Sequence, residues 1–373
     1  MAECAGNLDK HLDDFQIHNV YEYNGKELRK DALDDSLVPY ISSDKLEQVA
    51  EDFLKKYYPE VLKNPLAGQN PEWVNPAILA ERMGLSIKSQ TIRGDSSIFG
   101  QIYFEDTTVN MYDEKSKSEI QMNIPGKTII VDPNIYLLRN LGSINNTIVH
   151  ECVHWDKHRK AFMLEHLYNE SLSCISCQVV GGIETSLARK STEFMEKQAN
   201  QLAPRIQMPK VPFTIKAKEY IAKFMREANA RHEIDVMEQV INQLSVDFVV
   251  SRQAAKIRMV QLGFVTAIGT FNYVDGHYVR PHSFKKDVIK INQTFTISDY
   301  DAAIQRFSNS ELREKTKNGD YLYIENHYVY NAPLYVGRAD DGSLTLTDYA
   351  RSHMEECCLV FDMRITSKVE TEY

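Results

Sequence analysis

Hydrophobic positions first take on a clear period at Ser43. Leu46, Val49, Ala50, Phe53, Leu54 and Tyr57 fall at helical spacing, which predicts an amphipathic helix. Asn64-Pro65 and Asn70-Pro71 mark a loop, and Pro76 opens a short helix over 77–83 that Gly84 ends. Strand-like runs follow at 85–92, 98–104, 109–112 and 128–131, with the polar stretch 114–119 read as an exposed turn. The run from Ser143 to Phe162 has no proline or glycine and predicts a longer helix, capped by Ser143, Asn145 or Asn146. Residues 163–190 read as an irregular insert. Helical patterns resume from Ser191/Thr192 to Ile206, at 215–228 and 234–244, and from Ser251 to Leu262 before Gly263. Beyond Phe264 the pattern changes to hairpins: Tyr321 to Tyr330 alternates, Asp340-Asp341-Gly342 signals a turn, Thr347 caps a short helix, and 358–365 reads as a buried strand.

The expected fold class is α+β. A polar, acidic arm (1–42) precedes a unit with a small sheet and several helices (43–265), and a smaller α+β unit (266–373) follows. The 373 residues suffice for two domains, and 43% hydrophobic with 25% charged residues is an ordinary globular balance. A net charge of −9, with pI near 5.7, argues against broad phosphate-driven nucleic-acid binding. No apolar run approaches a membrane span and none occupies the first ten residues, so a cytoplasmic location is expected. Six cysteines do not make a disulfide framework.

Chemistry concentrates at His150-Glu151-Cys152-Val153-His154. Histidines four apart on a helix share one face, so their imidazoles can converge on one metal while the intervening glutamate acts as a base. Two surface histidines on an amphipathic helix are the plainer alternative. A third ligand must come from elsewhere: His158 would lie about 12 Å along a straight helix from His150. The metzincin pattern is excluded because Lys157 and Lys160 stand where it needs glycine and histidine. Glu196 opens Glu196-Lys197-Gln198-Ala199-Asn200-Gln201-Leu202-Ala203, in which Glu196, Ala199, Asn200 and Ala203 share a face. The alanines permit close helix approach, and Asn200 is placed to hydrogen-bond the free nitrogen of a ligating histidine. Glu193, one turn earlier, is the alternative ligand.

His-Glu-x-x-His followed by Glu-x-x-Ala-Asn-x-Leu-Ala and Ile206-Gln207-Met208-Pro209 resembles the ImmA/IrrE-type metallo-endopeptidases. The run Ile78 to Ile87 with Gly84, and Val250-Ser251 through Ala254, Arg258 and Leu262-Gly263, are similar to other parts of that family, so the resemblance covers about 44–265. It implies a zincin-like, zinc-dependent hydrolase with gluzincin-like ligation: His150, His154 and Glu196 on Zn2+, Glu151 as base. It implies regulatory proteins as substrates, often helix-turn-helix repressors of mobile elements or stress responses. The small sheet is expected to offer an edge for an extended substrate above the metal. The insert is longer than usual for the family, and 266–373 matches none of it.

Other features carry competing readings. Cys174-x-x-Cys177 could pair with His353 and Cys357/Cys358 as a second zinc site, though buried thiols are the plainer state. Arg252, Lys256 and Arg258 could touch phosphates if the 251–263 helix were a DNA reader. Tyr168, Arg205 and Tyr220 are the candidate oxyanion donors. The rival to a peptidase is a non-catalytic regulator that keeps the fold and binds a repressor or DNA; the intact Glu151 favours the enzyme.

Overall fold

A computed structural model of the chain describes residues 37–134, 141–168, 174–178, 188–274, 276–290, 293–362 and 369–371. Most of the expected N-terminal arm and parts of the insert lie outside the described residues. Helix α1, Leu46–Tyr57, buries Leu46, Ala50, Phe53 and Leu54 along one face. Helix α2, Pro76–Arg82, starts with proline at its first position, and the Asn75 side chain accepts from the backbone amides of Ala77 and Ile78. Those contacts satisfy donors that a helix start leaves unpaired. Gly84 then takes φ +72°, a left-handed conformation that glycine adopts without strain.

Five strands follow: β1 Ser86–Ser89, β2 Ile98–Tyr103, β3 Thr107–Asp113, β4 Ser118–Ile124 and β5 Thr128–Val131. Strands β3 and β4 form a separate antiparallel hairpin. Strand β4 begins within the stretch read as a turn and extends past it; Ile120, Met122 and Ile124 alternate with Glu119, Gln121 and Asn123, a period-two signal that the turn reading passes over. The central sheet has the order β1-β5-β2-β6, where β6 is Cys174–Gln178 from the supposedly irregular insert. Strand β1 runs parallel to β5, and β2 is antiparallel to both β5 and β6. All four residues of β5 are buried, as an inner strand covered on both faces requires.

The histidine-bearing helix starts as α3, Leu141–Val153, widens into a π-helical turn, His154–His158, and continues as α4, Arg159–Tyr168. Ser143, Asn145 and Asn146 therefore lie inside the helix rather than capping it. Gly142 allows the helix start to meet 250–251: a Cβ there would stand 2.4 Å from the Ser251 backbone nitrogen. Asn145 reinforces the contact by donating to the Val249 carbonyl. The π turn is pinned by α1, since Asp156 accepts from both Lys56 and Tyr57.

Helix α5, Ala188–Gln207, packs against α1 and α3. Met195, Ala199, Leu202, Ala203 and Ile206 form its buried stripe in the core of α1, α3 and the sheet. Helices α6 Lys210–Glu227, α7 Ile234–Asp247 and α8 Arg252–Gln261 enclose a second core around Phe213, Met237, Ile241, Phe248 and Met259. That core also takes in Ala267 and Phe271, so packing continues past the sequence break expected near 265. Farther on, Tyr321–Ile324 pairs with His327–Tyr330 across Glu325-Asn326, both at positive φ, as a two-residue hairpin turn requires. Val336–Arg338 pairs with Leu344–Leu346, with Gly342 at φ +85° between them. The Thr347 side chain accepts from the Ala350 amide and caps Asp348–Ser352. Of the strand expected over 358–365, the described residues hold Phe361–Asp362, and 363–368 lie outside them. The architecture is α+β, and among the described residues no helix is long and apolar enough to cross a membrane.

One charged hub ties these layers together. Fully buried Arg258 on α8 grips both carboxylate oxygens of Glu47 on α1 and donates to the Met208 carbonyl; Arg205 on α5 adds a third bond to Glu47. Burial disfavours the Glu47 charge, but the Arg258 hydrogen bond and charge, with Arg205 behind them, hold its carboxyl below its ordinary value. Removing one partner of such a pair leaves an uncompensated buried charge. Glu47→Ala should therefore destabilise the protein by about 3 kcal/mol in denaturant unfolding; a loss below about 1 kcal/mol, the range of exposed pairs, would contradict this role.

Candidate metal centre

Helices α3 and α5 bring together the three side chains that the sequence singled out. His150, His154 and Glu196 each offer a ligand atom, and these atoms lie within 4.8 Å of one another. His150 Nε2 stands 3.2 Å from one Glu196 oxygen and His154 Nε2 3.2 Å from the other, while the two Nε2 atoms are 2.9 Å apart. Both imidazoles are buried; Glu196, its side chain 21% exposed, forms the open side of the cluster. Glu193 is exposed and stands outside the cluster.

The back of His154 shows which ring nitrogen is available. His158, one π turn on, places its Nδ1 2.9 Å from His154 Nδ1, and its Nε2 lies 2.9 Å from Gln198 Oε1 on α5. The Gln198 amide nitrogen in turn donates to the Pro39 carbonyl. A backbone carbonyl can only accept, so Gln198 must present its NH2 to Pro39 and its oxygen to His158. His158 must then carry its proton on Nε2. Burial, and after it the charge of His154, pushes its pKa down to about 3, so the ring is neutral and Nδ1 is bare. His154 therefore donates from Nδ1, and because burial also lowers its pKa, its Nε2 is left as a lone pair. The relay ends by aiming a bare nitrogen at Glu196.

Glu196 is an acceptor too. As a carboxylate it accepts at both oxygens. A lone pair and a carboxylate oxygen 3.2 Å apart are acceptor against acceptor, and a cation between them resolves the conflict. Two imidazoles and a carboxylate form a donor set suited to a divalent metal. This buried group could bind a metal ion.

Glu151 lies beside the cluster and is fully buried, and neither of its oxygens makes a well-formed hydrogen bond. Burial first, then the negative charge of Glu196, raises its pKa well above the ordinary 4.5; the Ile102 backbone opposes this only in part. The carboxylate packs on β2 at Gly100, where a Cβ would come within 3.2 Å of Glu151 Oε1 and 2.5 Å of Thr147 Cγ2. Glycine is needed there for α3 to approach the strand. An isolated glycine within a strand pattern is the sequence signal that could have marked it.

Several expectations need correction. Asn200 is exposed, and the free nitrogen of His154 is served by His158 and, through it, Gln198. His150 Nδ1 is buried without a partner. Arg205 is committed to Glu47, and Tyr220 donates to Asp247, so neither is placed as an oxyanion donor; the Tyr168 side chain lies outside the described residues. Lys256 and Arg258 are fully buried, with Lys256 bonded to Thr270 and Asn272, so they form no phosphate-binding surface with Arg252. Cys152 is a core thiol, and Cys357 packs in the C-terminal core beside Cys358. His353 bonds to Tyr349 and Ser352, and the Cys174 and Cys177 side chains of the expected second zinc site lie outside the described residues.

No family model matches this chain, and no curated protein matches it. Among solved structures, a Mycobacterium tuberculosis transcriptional regulator aligns at 12% identity and a TM-score of 0.29, over 59% of this chain and 47% of that one. The chain thus spans about half the length of that regulator, and a similarity this low bears on neither fold nor function.

Two outcomes follow from the site. His158→Phe or Gln198→Leu should weaken zinc binding about 10- to 100-fold in a chelator competition while leaving stoichiometry unchanged; unchanged affinity would contradict the relay. In chelator-treated protein, Glu151→Gln should be stabilising at neutral pH. The folded pKa of Glu151 lies above its unfolded value, so the wild-type carboxyl costs stability as pH rises above 4.5, whereas the amide does not. The difference in melting temperature should grow with pH above that point and be constant below it; a pH-independent difference throughout would contradict the assignment.

Proposed function

We propose that the chain is a zinc-dependent endopeptidase of the ImmA/IrrE type, with a zincin-like core of small sheet and paired helices. The observation that carries this reading is the meeting of His150, His154 and Glu196 beside a buried Glu151. A metal-binding protein with no reaction to run has no use for a base in that position. The resemblance of the motifs further suggests a cytoplasmic protein whose substrate is a regulatory protein, such as a helix-turn-helix repressor.

A zinc ion held by the two histidines and Glu196 would supply Lewis acidity, acidifying water and polarising a scissile carbonyl. The protein's own groups do the rest. The His158–Gln198 relay orients His154 and keeps its Nε2 unprotonated. Glu151 takes the proton of the attacking water and passes it to the leaving amine. Its elevated pKa suits that task, because a carboxyl with a raised pKa can hold the proton near neutral pH between the two transfers. Gly100 lets strand and base lie in contact, so a peptide backbone paired to β2 would pass close to the Glu151 carboxylate.

Elemental analysis of wild type, Glu196→Ala and Glu151→Gln separates this reading from the non-catalytic regulator. About one zinc per chain is expected in wild type and in Glu151→Gln, and none in Glu196→Ala. Glu151→Gln should in addition abolish cleavage of any protein that the wild type cuts. Peptide-bond cleavage retained in Glu151→Gln would overturn the base assignment, and zinc retained in Glu196→Ala would overturn the ligand set.

A further inference from the structure

Strand β2, which touches the base, does not itself offer a free edge to an extended substrate. The outer edge of β2 is already paired, antiparallel, with β6, which joins Gly100 to Cys177, Gln101 to Ser176, Ile102 to Ile175 and Tyr103 to Cys174. Gly100 is the residue that touches the Glu151 carboxylate, so the β6 backbone at Cys177 lies one strand away from the base. Strand β6 also packs against α3, the helix that carries His150 and Glu151. Glu151 is completely covered, and neither of two surface hollows, one at Asp106–Thr108 with Asn123–Pro125 and one beside Leu312 and Phe361, reaches the metal cluster.

We propose that β6 is an internal pseudosubstrate: Cys174–Gln178 occupies the β2 edge that an extended peptide must pair with, and substrate gains the site by displacing it. The inference rests on the peptidase reading for its consequence, although the strand exchange itself does not need catalysis. Its physical basis is β-strand addition. Main-chain hydrogen bonds supply most of the affinity of a peptide for a sheet edge, and any extended backbone can make them. An edge strand from the same chain competes at high effective concentration and so holds the site shut against weak binders. The partner class follows: substrates present unpaired, extended segments rather than helices, and they meet a closed site until that competition is won. The short β6 suits the role, since five residues make few cross-strand bonds and a longer peptide can outcompete them.

The test uses the full-length, zinc-loaded chain and a Ser176→Pro/Cys177→Pro double variant. Adjacent residues alternate in ladder bonding, so whichever of the two donates to β2, a proline there removes its N–H. A second variant replaces 174–178 with Gly-Ser-Gly-Ser-Gly, and circular dichroism with zinc content checks that each variant is folded. The probes are fluorescein-labelled casein for cleavage and a labelled synthetic peptide spanning residues 172–180, cysteines replaced by serine, for binding. The expected result is cleavage at least tenfold faster than wild type in both variants, with peptide bound by the variants and not by wild type. Equal casein cleavage by wild type and variants would overturn the self-blocking role while leaving the peptidase reading intact. Peptide binding confined to the variants, with casein cut by none of the three, would support strand exchange and count against the peptidase. Failure of both folded variants to bind the peptide would overturn the inference.

Discussion

A bare histidine nitrogen and a carboxylate are forced together between α3 and α5, and the surrounding structure depends on tolerating that. The His154 Nε2 lone pair faces a Glu196 oxygen at 3.2 Å, an unfavourable contact without a cation between them. The helices cannot separate to relieve it, because Val149, Cys152, Ala199 and Ala203 between them are fully buried. The packing free energy of the core thus holds a site that electrostatics alone would open. The His158–Gln198–Pro39 relay sharpens the conflict by denying His154 a proton on the inward nitrogen. A metal ion would turn the same geometry from a cost into a gain.

The rest of the first unit reads as support for this arrangement. Glu47 joins α1 to α5 and α8 through two arginines, and Asp156 joins α1 to the π turn. That turn carries His154 at one end and His158 at the other, so pinning it fixes both the ligand and the group that orients it. Isolated π turns are often found at functional sites, and here the widened turn lets the second imidazole lie behind the first. Gly142 and Gly100 act by absence: each removes a Cβ where α3 must touch a neighbouring backbone or strand.

Much of this was legible in the sequence because it rests on periodicity. The i, i+4 histidines, the small-residue face of Ala199 and Ala203 and the amphipathic stripe of Leu46 to Tyr57 all follow from helical geometry, and the structure agrees with each. What escaped depends on departures from ideal elements. On a straight helix His158 lies too far from His150 to share its metal, whereas the π turn makes it the partner of a ligand. Spacing from Glu196 points to Asn200 as that partner, yet Gln198 lies roughly 200° around the helix from it, and the relay comes from the Gln198 side. Strand β4 was legible in the alternation of Ile120, Met122 and Ile124, and only its polar start reads as a turn. Strand β6 was hidden because five residues in a long insert form a strand only when an edge such as that of β2 is there to receive them.

The most direct test of the central claim is X-ray absorption at the zinc edge of the full-length, zinc-loaded protein. Histidine nitrogens and a carboxylate oxygen give metal–ligand distances of about 2.0–2.2 Å, whereas cysteine sulfur lies near 2.3 Å and scatters distinctly. Coordination by two imidazoles and oxygen, with no sulfur, is the result that His150, His154 and Glu196 predict. A sulfur shell, or a metal held without histidine, would contradict it and would leave the acceptor cluster between α3 and α5 without its explanation.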